Sequence, residues 1–184
     1  MIHLSRKLFH AIGVVIPIVY LWSEWERGIA AATLGAIFLG LLILDFVRHR
    51  VPTLEEQFQG AFRLLLDPKD SRGLNGSTLY FGGCALTVAL FAREPASAGL
   101  FALTLGDPAA AVVGGSVPSP RRGRVSLAGS LACLLVSSAA TWAILPWPRA
   151  LLAGAVASVV EAVAGSKLDN FAIPVSVAAA LTVL

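Results

Sequence analysis

An aspartate set among small apolar residues is the first place in this chain to look for chemistry. Residues 104–115 read Thr-Leu-Gly-Asp-Pro-Ala-Ala-Ala-Val-Val-Gly-Gly, with Asp107 as their one ionisable group. An ionised aspartate at the centre of a bilayer costs about 2.5–3.5 kcal/mol on insertion scales, so it calls for a partner, a water-filled cavity or a cation. Gly106, Gly114 and Gly115 allow close backbone approach, and Pro108 removes an N–H and weakens the helix beside the acid. Two readings stay open: an acid lining a functional cavity, or a Gly/Ala packing seam whose aspartate bonds a neighbouring helix.

Other groups repeat this choice between chemistry and anchoring. His3, Arg6, Lys7 and His10 are spaced by three and four, which puts them on roughly one helical face. That face could meet phosphates, or it could snorkel to lipid headgroups. Arg121, Arg122 and Arg124 precede a helix start at Ser126, where free N–H groups suit a polyanion; a basic loop on anionic lipid is the alternative. Asn75, Ser77 and Thr78 are neutral donors and acceptors at the start of an apolar run, and by themselves read as helix capping. Glu161 and Asp169 would share a helical face if the helix continued past Gly165.

The elements that must position these groups follow from composition. The 184 residues are 57% hydrophobic and 14% charged, with mean hydropathy +0.78. Soluble domains carry nearer 25% charged residues, so an integral membrane protein is expected, as one all-α domain over residues 1–184. Hydropathy predicts about seven spans near 5–22, 28–47, 74–92, 97–115, 126–146, 150–165 and 171–184, separated by turn residues that include Gly73, Pro95, Pro118, Pro120, Pro146 and Pro148. The N-terminal apolar run has no clean cleavage site after it and is read as a first span. Between the second and third spans, Thr53 with Glu56 forms a capping box, and Leu54, Phe58, Ala61, Phe62 and Leu65 make an apolar stripe. An amphipathic helix on the membrane interface is expected there, over about 53–66.

Charge sets the expected orientation. Of the fourteen Lys and Arg residues, only Arg27, Arg93 and Arg149 fall on the side opposite the N-terminus, which predicts a cytoplasmic N-terminus. Asp45, Asp107, Glu161 and Asp169 then all lie towards the cytoplasmic ends of their spans, suggesting a pocket open to the cytosol. A net charge of only +3 and the lack of a basic-aromatic motif argue against a nucleic-acid partner. Cys84 and Cys133 sit in apolar spans and read as small buried hydrophobes, not as a disulfide or zinc framework. A homo-oligomer is compatible with such a bundle, but no motif specifies one.

Four elements in order resemble the CTP-dependent membrane lipid kinases: dolichol kinase, phytol kinase and the CTP-using diacylglycerol kinase. Arg6-Lys7-x-x-His10 is similar to that family's opening Arg-Lys-x-x-His, and Asn75-Gly76-Ser77-Thr78 to its Asn-Gly-x-Thr. Gly106-Asp107-Pro108-Ala109-Ala110 resembles its Gly-Asp-x-x-Ala core, and Glu161 with Asp169-Asn170 and Ile173-Pro174 its closing Glu…Asp-Asn-x-x-Ile-Pro. The match covers nearly the whole chain. One element departs: the family usually shows Lys-Ser-x-Glu-Gly-Ser where this chain has Val125-Ser126-Leu127-Ala128-Gly129-Ser130, with Arg124 one position from the missing lysine.

The resemblance implies transfer of the terminal phosphoryl group of CTP to a membrane lipid alcohol (a polyprenol, a phytol-like isoprenoid or diacylglycerol) at the cytoplasmic face, in a prokaryotic plasma membrane. It implies Mg2+ held by Asp107, Glu161 and Asp169, with Asp107 and Asp169 catalytic. Arg6, Lys7, His10 and Arg124 would hold phosphates, while Asn75, Ser126 and Asn170 would hydrogen-bond the nucleotide. A CTP-dependent cytidylyltransferase acting on a lipid phosphate is a second reading, since phosphatidate cytidylyltransferases share a similar Gly-Asp element. A non-catalytic membrane protein or transporter is a third, and Val125 and Ala128 are its main support.

Overall fold

Each stretch that hydropathy marks as a span carries a helix. The computed structural model describes residues 11–23, 25–61, 73–165 and 167–183. The helices are α1 (Val15–Trp22), α2 (Arg27–Arg48), α3 (Pro52–Ala61), α4 (Gly76–Leu90), α5 (Arg93–Phe101), α6 (Asp107–Ser116), α7 (Leu127–Trp142), α8 (Trp147–Ala164) and α9 (Asp169–Val183). A π-helical turn over Ala102–Gly106 joins α5 to α6, so Arg93–Ser116 is one continuous rod. Among the described residues, three helices are long and apolar enough to cross a membrane: Arg27–Arg48, Arg93–Ser116 and Trp147–Ala164. Gly76–Leu90, Leu127–Trp142 and Asp169–Val183 are apolar but shorter, at 15, 16 and 15 residues.

Local chemistry moves several expected boundaries. Pro95 and Pro148 were expected in turns, yet both lie in the first turn of a helix, where a missing N–H costs no intrahelical bond. The interfacial helix opens at Pro52, so Thr53 is inside its first turn and is not the cap of a capping box. Residues 62–66 of that predicted helix lie outside the described residues. The basic loop is also more ordered than an all-α reading foresees: β1 (Arg121–Arg122) pairs antiparallel with β2 (Val125–Ser126).

Arg93–Ser116 is the core helix. Its apolar window is 72% buried, against 17% for Arg27–Arg48 and 22% for Trp147–Ala164. Glycines set how closely its neighbours approach. A methyl group at Gly99 would strike the Pro174 carbonyl oxygen of α9, and one at Gly129 of α7 would lie 2.7 Å from the Ala110 carbonyl oxygen. Backbone-to-backbone packing of this kind is how apolar helices associate when lipid leaves no hydrophobic drive between them.

Successive spans run antiparallel in a fixed register, which gives the molecule two distinct ends. At one end Arg149 bonds Glu94 and the Leu181 carbonyl, and Arg93 bonds the carbonyls of Ser23 and Trp25. Trp22, Trp25, Trp142 and Trp147, all four tryptophans of the chain, are exposed at this end. The opposite end holds the last turns of α2, α6 and α8, the first turns of α4, α7 and α9, and the β-hairpin. Every described candidate site residue except Asp107 is in these turns, at their caps or in the hairpin; Asp107, the first residue of α6, lies about two and a half turns back from the end of that helix.

Candidate active site

Arg124 gathers the acids contributed by α8 and α9. Arg122 pairs with Val125 in the hairpin, so Gly123 and Arg124 form its two-residue loop. Gly123 has φ +62°, a left-handed geometry at the first loop position that glycine adopts without a Cβ penalty. From that tip, Arg124 Nη2 donates to the Glu161 main-chain oxygen at 2.7 Å. Its Nη1 lies 3.6 Å from Asp169 Oδ2 and 3.9 Å from Glu161 Oε1. Gly165, at φ +86°, stops α8 and turns the chain, so Glu161 and Asp169 meet through Arg124 and not along one helical face.

Asp169 and Asn170 open α9 with their side chains packed inward. The Asp169 carboxyl accepts the Asn170 N–H at 2.8 Å, and Asn170 Nδ2 donates to the Gly76 carbonyl at 3.2 Å. The closing Asp-Asn pair is thereby tied to the Asn75–Thr78 turn. Asn75 occupies the N-cap position of α4, but its side chain makes no cap bond, contrary to the capping read from sequence. Its backbone N–H instead donates to Asp45 Oδ2 at 2.8 Å.

Asp107 is 2% exposed and Asp169 3%. Asp107 follows directly on the π-helical turn, and Pro108 accounts for that turn. In a regular helix the proline ring would press on the Thr104 carbonyl, and a widened turn relieves the clash. The depth of Asp107 follows from the Gly99–Pro174 contact. At about 1.5 Å per residue, Asp107 lies about 12 Å and Asp169 about 7.5 Å beyond that contact, towards the same end. The two carboxylates are therefore within about one helical turn of each other along the bundle axis.

Two other groups have local roles. The helix start read at Ser126 is present, and Ser126 is the N-cap of α7, its Oγ accepting the Gly129 N–H at 3.1 Å. Arg121 donates to the Gly114 carbonyl at the C-terminal end of α6, where a cation also meets the negative end of the helix dipole. Val125 sits in the hairpin opposite Arg122, and the Ala128 N–H donates to Ser119 Oγ at 3.2 Å. Arg6, Lys7 and His10 lie outside the described residues.

Among the described residues, no three His, Cys, Asp or Glu side chains are grouped to hold a metal ion. Asp107, Glu161 and Asp169 thus do not form a ready three-carboxylate cage. The donors present still suit a hard cation, because magnesium needs only one or two carboxylates when phosphate oxygens and water complete its shell.

The sequence reading reaches a polar cluster next to this site only at Asp45, one of the four acids expected towards the cytoplasmic ends of their spans, and misses its partners. Arg48 binds Asp45 and Glu55, at 2.8 and 2.7 Å, and its guanidinium stacks over Phe58. Burial would raise the Glu55 carboxyl, but hydrogen bonds from Gln59 and Arg48 outweigh it and hold the group below the usual carboxylate range. The i,i+3 spacing of Asp45 and Arg48 was a visible signal, whereas their reach to Glu55 and Asn75 was not. Beside Asp45 opens an apolar groove of about 510 Å³, lined by Leu42, Ile43, Phe46, His49, Gly73 and Leu74.

Comparison with known proteins supplies the relationship. Over 136 residues the chain is 32% identical to the CTP-dependent diacylglycerol kinase 1 of Eremothecium gossypii, covering 71% of this chain and 42% of that protein. Over 144 residues it is 28% identical to the CTP-dependent diacylglycerol kinase 1 of Saccharomyces cerevisiae, covering 76% and 49%. The chain spans less than half the length of these curated relatives, and both are yeast proteins, so they lend no support to a prokaryotic membrane. No family model matches the chain, and no solved structure matches it. By sequence, this chain is similar over about three quarters of its length to two proteins named CTP-dependent diacylglycerol kinase 1.

Proposed function

We propose that this chain transfers the terminal phosphoryl group of CTP to a membrane lipid alcohol, with diacylglycerol as the first acceptor and isoprenoid alcohols as the second class. The observation that carries this reading is the identity shared, over about three quarters of the chain, with two proteins named CTP-dependent diacylglycerol kinase 1. The arrangement of charge supports it. Phosphoryl transfer needs cations on the phosphates and a group that orients the attacking hydroxyl, and little covalent chemistry from the protein. The buried Asp169 and part-buried Glu161 beside the Arg124 guanidinium, at one end of an apolar bundle, suit that division of labour.

In this reading Arg124, with Arg6, Lys7 and His10, holds the phosphates, and Asn75, Ser126 and Asn170 hydrogen-bond the nucleotide. Asp107 and Asp169 orient the lipid hydroxyl and hold its proton. Asp107, Glu161 and Asp169 would supply the one or two carboxylates that Mg2+ needs, and Mg2+ when bound would supply positive charge to the phosphate oxygens. The groove beside Asp45 receives the acceptor's hydrocarbon from the bilayer. The bundle crosses the membrane seven times, with α3 on the interface and the N-terminus and site cytoplasmic. Cations concentrated at the site end support this orientation.

The test follows the nucleotide's label. Purified protein is incubated with magnesium, CTP labelled at the γ-phosphate, and a panel of diacylglycerol, isoprenoid alcohols and phosphatidate. Labelled lipid and CDP are expected with an alcohol, and loss of both when magnesium is chelated. Labelled pyrophosphate with phosphatidate would instead establish a cytidylyltransferase, because the lipid phosphate then attacks the α-phosphorus. No transfer by folded protein across the panel would leave a non-catalytic membrane protein or a transporter.

A further inference from the structure

Asp45 and Arg48 belong to none of the motifs above, yet each is only 2% exposed at the end of α2. Asp45 Oδ1 accepts Arg48 Nε at 2.8 Å, while Oδ2 accepts the Asn75 N–H at 2.8 Å and Thr78 Oγ1 at 2.6 Å. Arg48 Nη1 donates to Glu55 of α3 at 2.7 Å and Nη2 to the Gly73 carbonyl at 3.3 Å, with the guanidinium 4.7 Å from the centre of the Phe58 ring. One carboxylate and one guanidinium therefore join four segments: α2, α3, the turn at residues 73–75 and the first turn of α4. The chain of contacts continues from Gly76 to Asn170, and so to Asp169. A buried charge that loses its partner is strongly penalised, so these bonds hold or break together.

We propose that Asp45 and Arg48 are positioning residues that form a buried strut, through which helix α3 sets the place of the Asn75–Thr78 turn and, beyond it, of Asn170 and Asp169. The kinetic part of this proposal rests on the lipid kinase reading; the structural part does not. Asp45 edges the acceptor groove, but both of its carboxylate oxygens are taken up by Arg48, Asn75 and Thr78. The strut acts by holding groups that meet substrate, and small misplacements of reacting groups cost rate more than affinity.

The test uses the full chain in lipid nanodiscs, with Arg48→Lys, which keeps the charge but loses the guanidinium fork, and Glu55→Gln, which loosens only the link to α3. Hydrogen exchange is read over residues 52–61, 73–80 and 167–172. Turnover is read with CTP and diacylglycerol, each value corrected for the folded fraction. With Arg48→Lys, exchange at 73–80 and at 167–172 is expected to rise about tenfold or more, and kcat to fall about 10- to 100-fold while KM for CTP shifts less than about threefold. Glu55→Gln is expected to raise exchange at 73–80 as well as in α3, and its effect is expected to be less than additive with Arg48→Lys. Unchanged exchange at 73–80 in Arg48→Lys, or loosening of α3 alone in Glu55→Gln, would overturn the strut. If the wild-type chain shows no kinase turnover, the functional reading fails while the exchange data still decide the strut.

Discussion

Replacing Arg124 by Gln separates a phosphate-binding role from a structural clamp, because the two are read by different measurements. In the folded chain the side chain is 39% exposed, and its ion pairs with Asp169 and Glu161 span 3.6 and 3.9 Å. Those separations exceed the roughly 2.7–2.9 Å of a direct charge-assisted hydrogen bond, so the pairs together stabilise the fold by at most about 1 kcal/mol, and the exposed 2.7 Å bond from Nη2 to the Glu161 main-chain oxygen adds about 1 kcal/mol more. A bond from Arg124 to a nucleotide phosphate is charge-assisted and worth about 1.5–3 kcal/mol. Its loss raises the apparent constant for CTP about 10- to 150-fold. Steady-state kinetics with γ-labelled CTP in nanodiscs, alongside thermal melting of the same preparations, measure both quantities. The expected result is a constant raised within that range with a modest change in melting, and an intermediate value for Arg124→Lys. An unchanged CTP constant, or a loss of activity that tracks the loss of folded protein, would refute the phosphate role and leave Arg124 as a clamp between α8 and α9.

Four further outcomes are expected. Asp107→Asn keeps the shape but not the charge, so turnover is abolished while the protein melts normally; wild-type turnover in the purified variant would remove Asp107 from the chemistry. Gly83→Ala places a methyl 2.8 Å from the Asn170 carbonyl oxygen and the Phe171 Cα, both backbone atoms of α9, and is expected to cost about 1–3 kcal/mol in unfolding measurements. The Glu55 carboxyl is held below its unfolded-state value, so its stabilising contribution is present above the usual carboxylate range and disappears as pH falls through the lowered value. Glu55→Gln should therefore flatten the acid limb of a stability–pH curve and leave its shape from about pH 6 to 8 unchanged. Because all four tryptophans are exposed at one end, intrinsic fluorescence should be quenched more by lipids brominated near the headgroup than by lipids brominated near the chain terminus; the reverse order would contradict an interfacial belt.

The positions of the helices were legible in the sequence, because hydropathy over a turn or two is a local property and each apolar run has a helix as its simplest way to satisfy its backbone. So were the helix start at Ser126 and the interruption at Gly165, and Asp107, Asp169 and Asn170 stand out in the sequence because a polar side chain in an apolar run signals its own cost. Boundaries at Pro95, Pro148 and Thr53 were misjudged for an equally local reason. Proline is excluded from a helix interior but not from its first turn, and sequence alone does not say which turn is first. Partnership was decided only in three dimensions. That Arg124 reaches both Glu161 and Asp169 depends on a hairpin closed at Gly123 and on a chain reversal at Gly165. That Asp45 holds the Asn75 amide, thirty positions further along the chain, depends on how far α2 slides along α4 before its side chains lock. The register of Asp107 against Asp169 depends on a glycine meeting a carbonyl at Gly99 and Pro174. Composition specifies that such helices pack. Only the contacts between backbones specify at what height, and a shift of one helical turn, about 5.4 Å, would separate the groups that now meet.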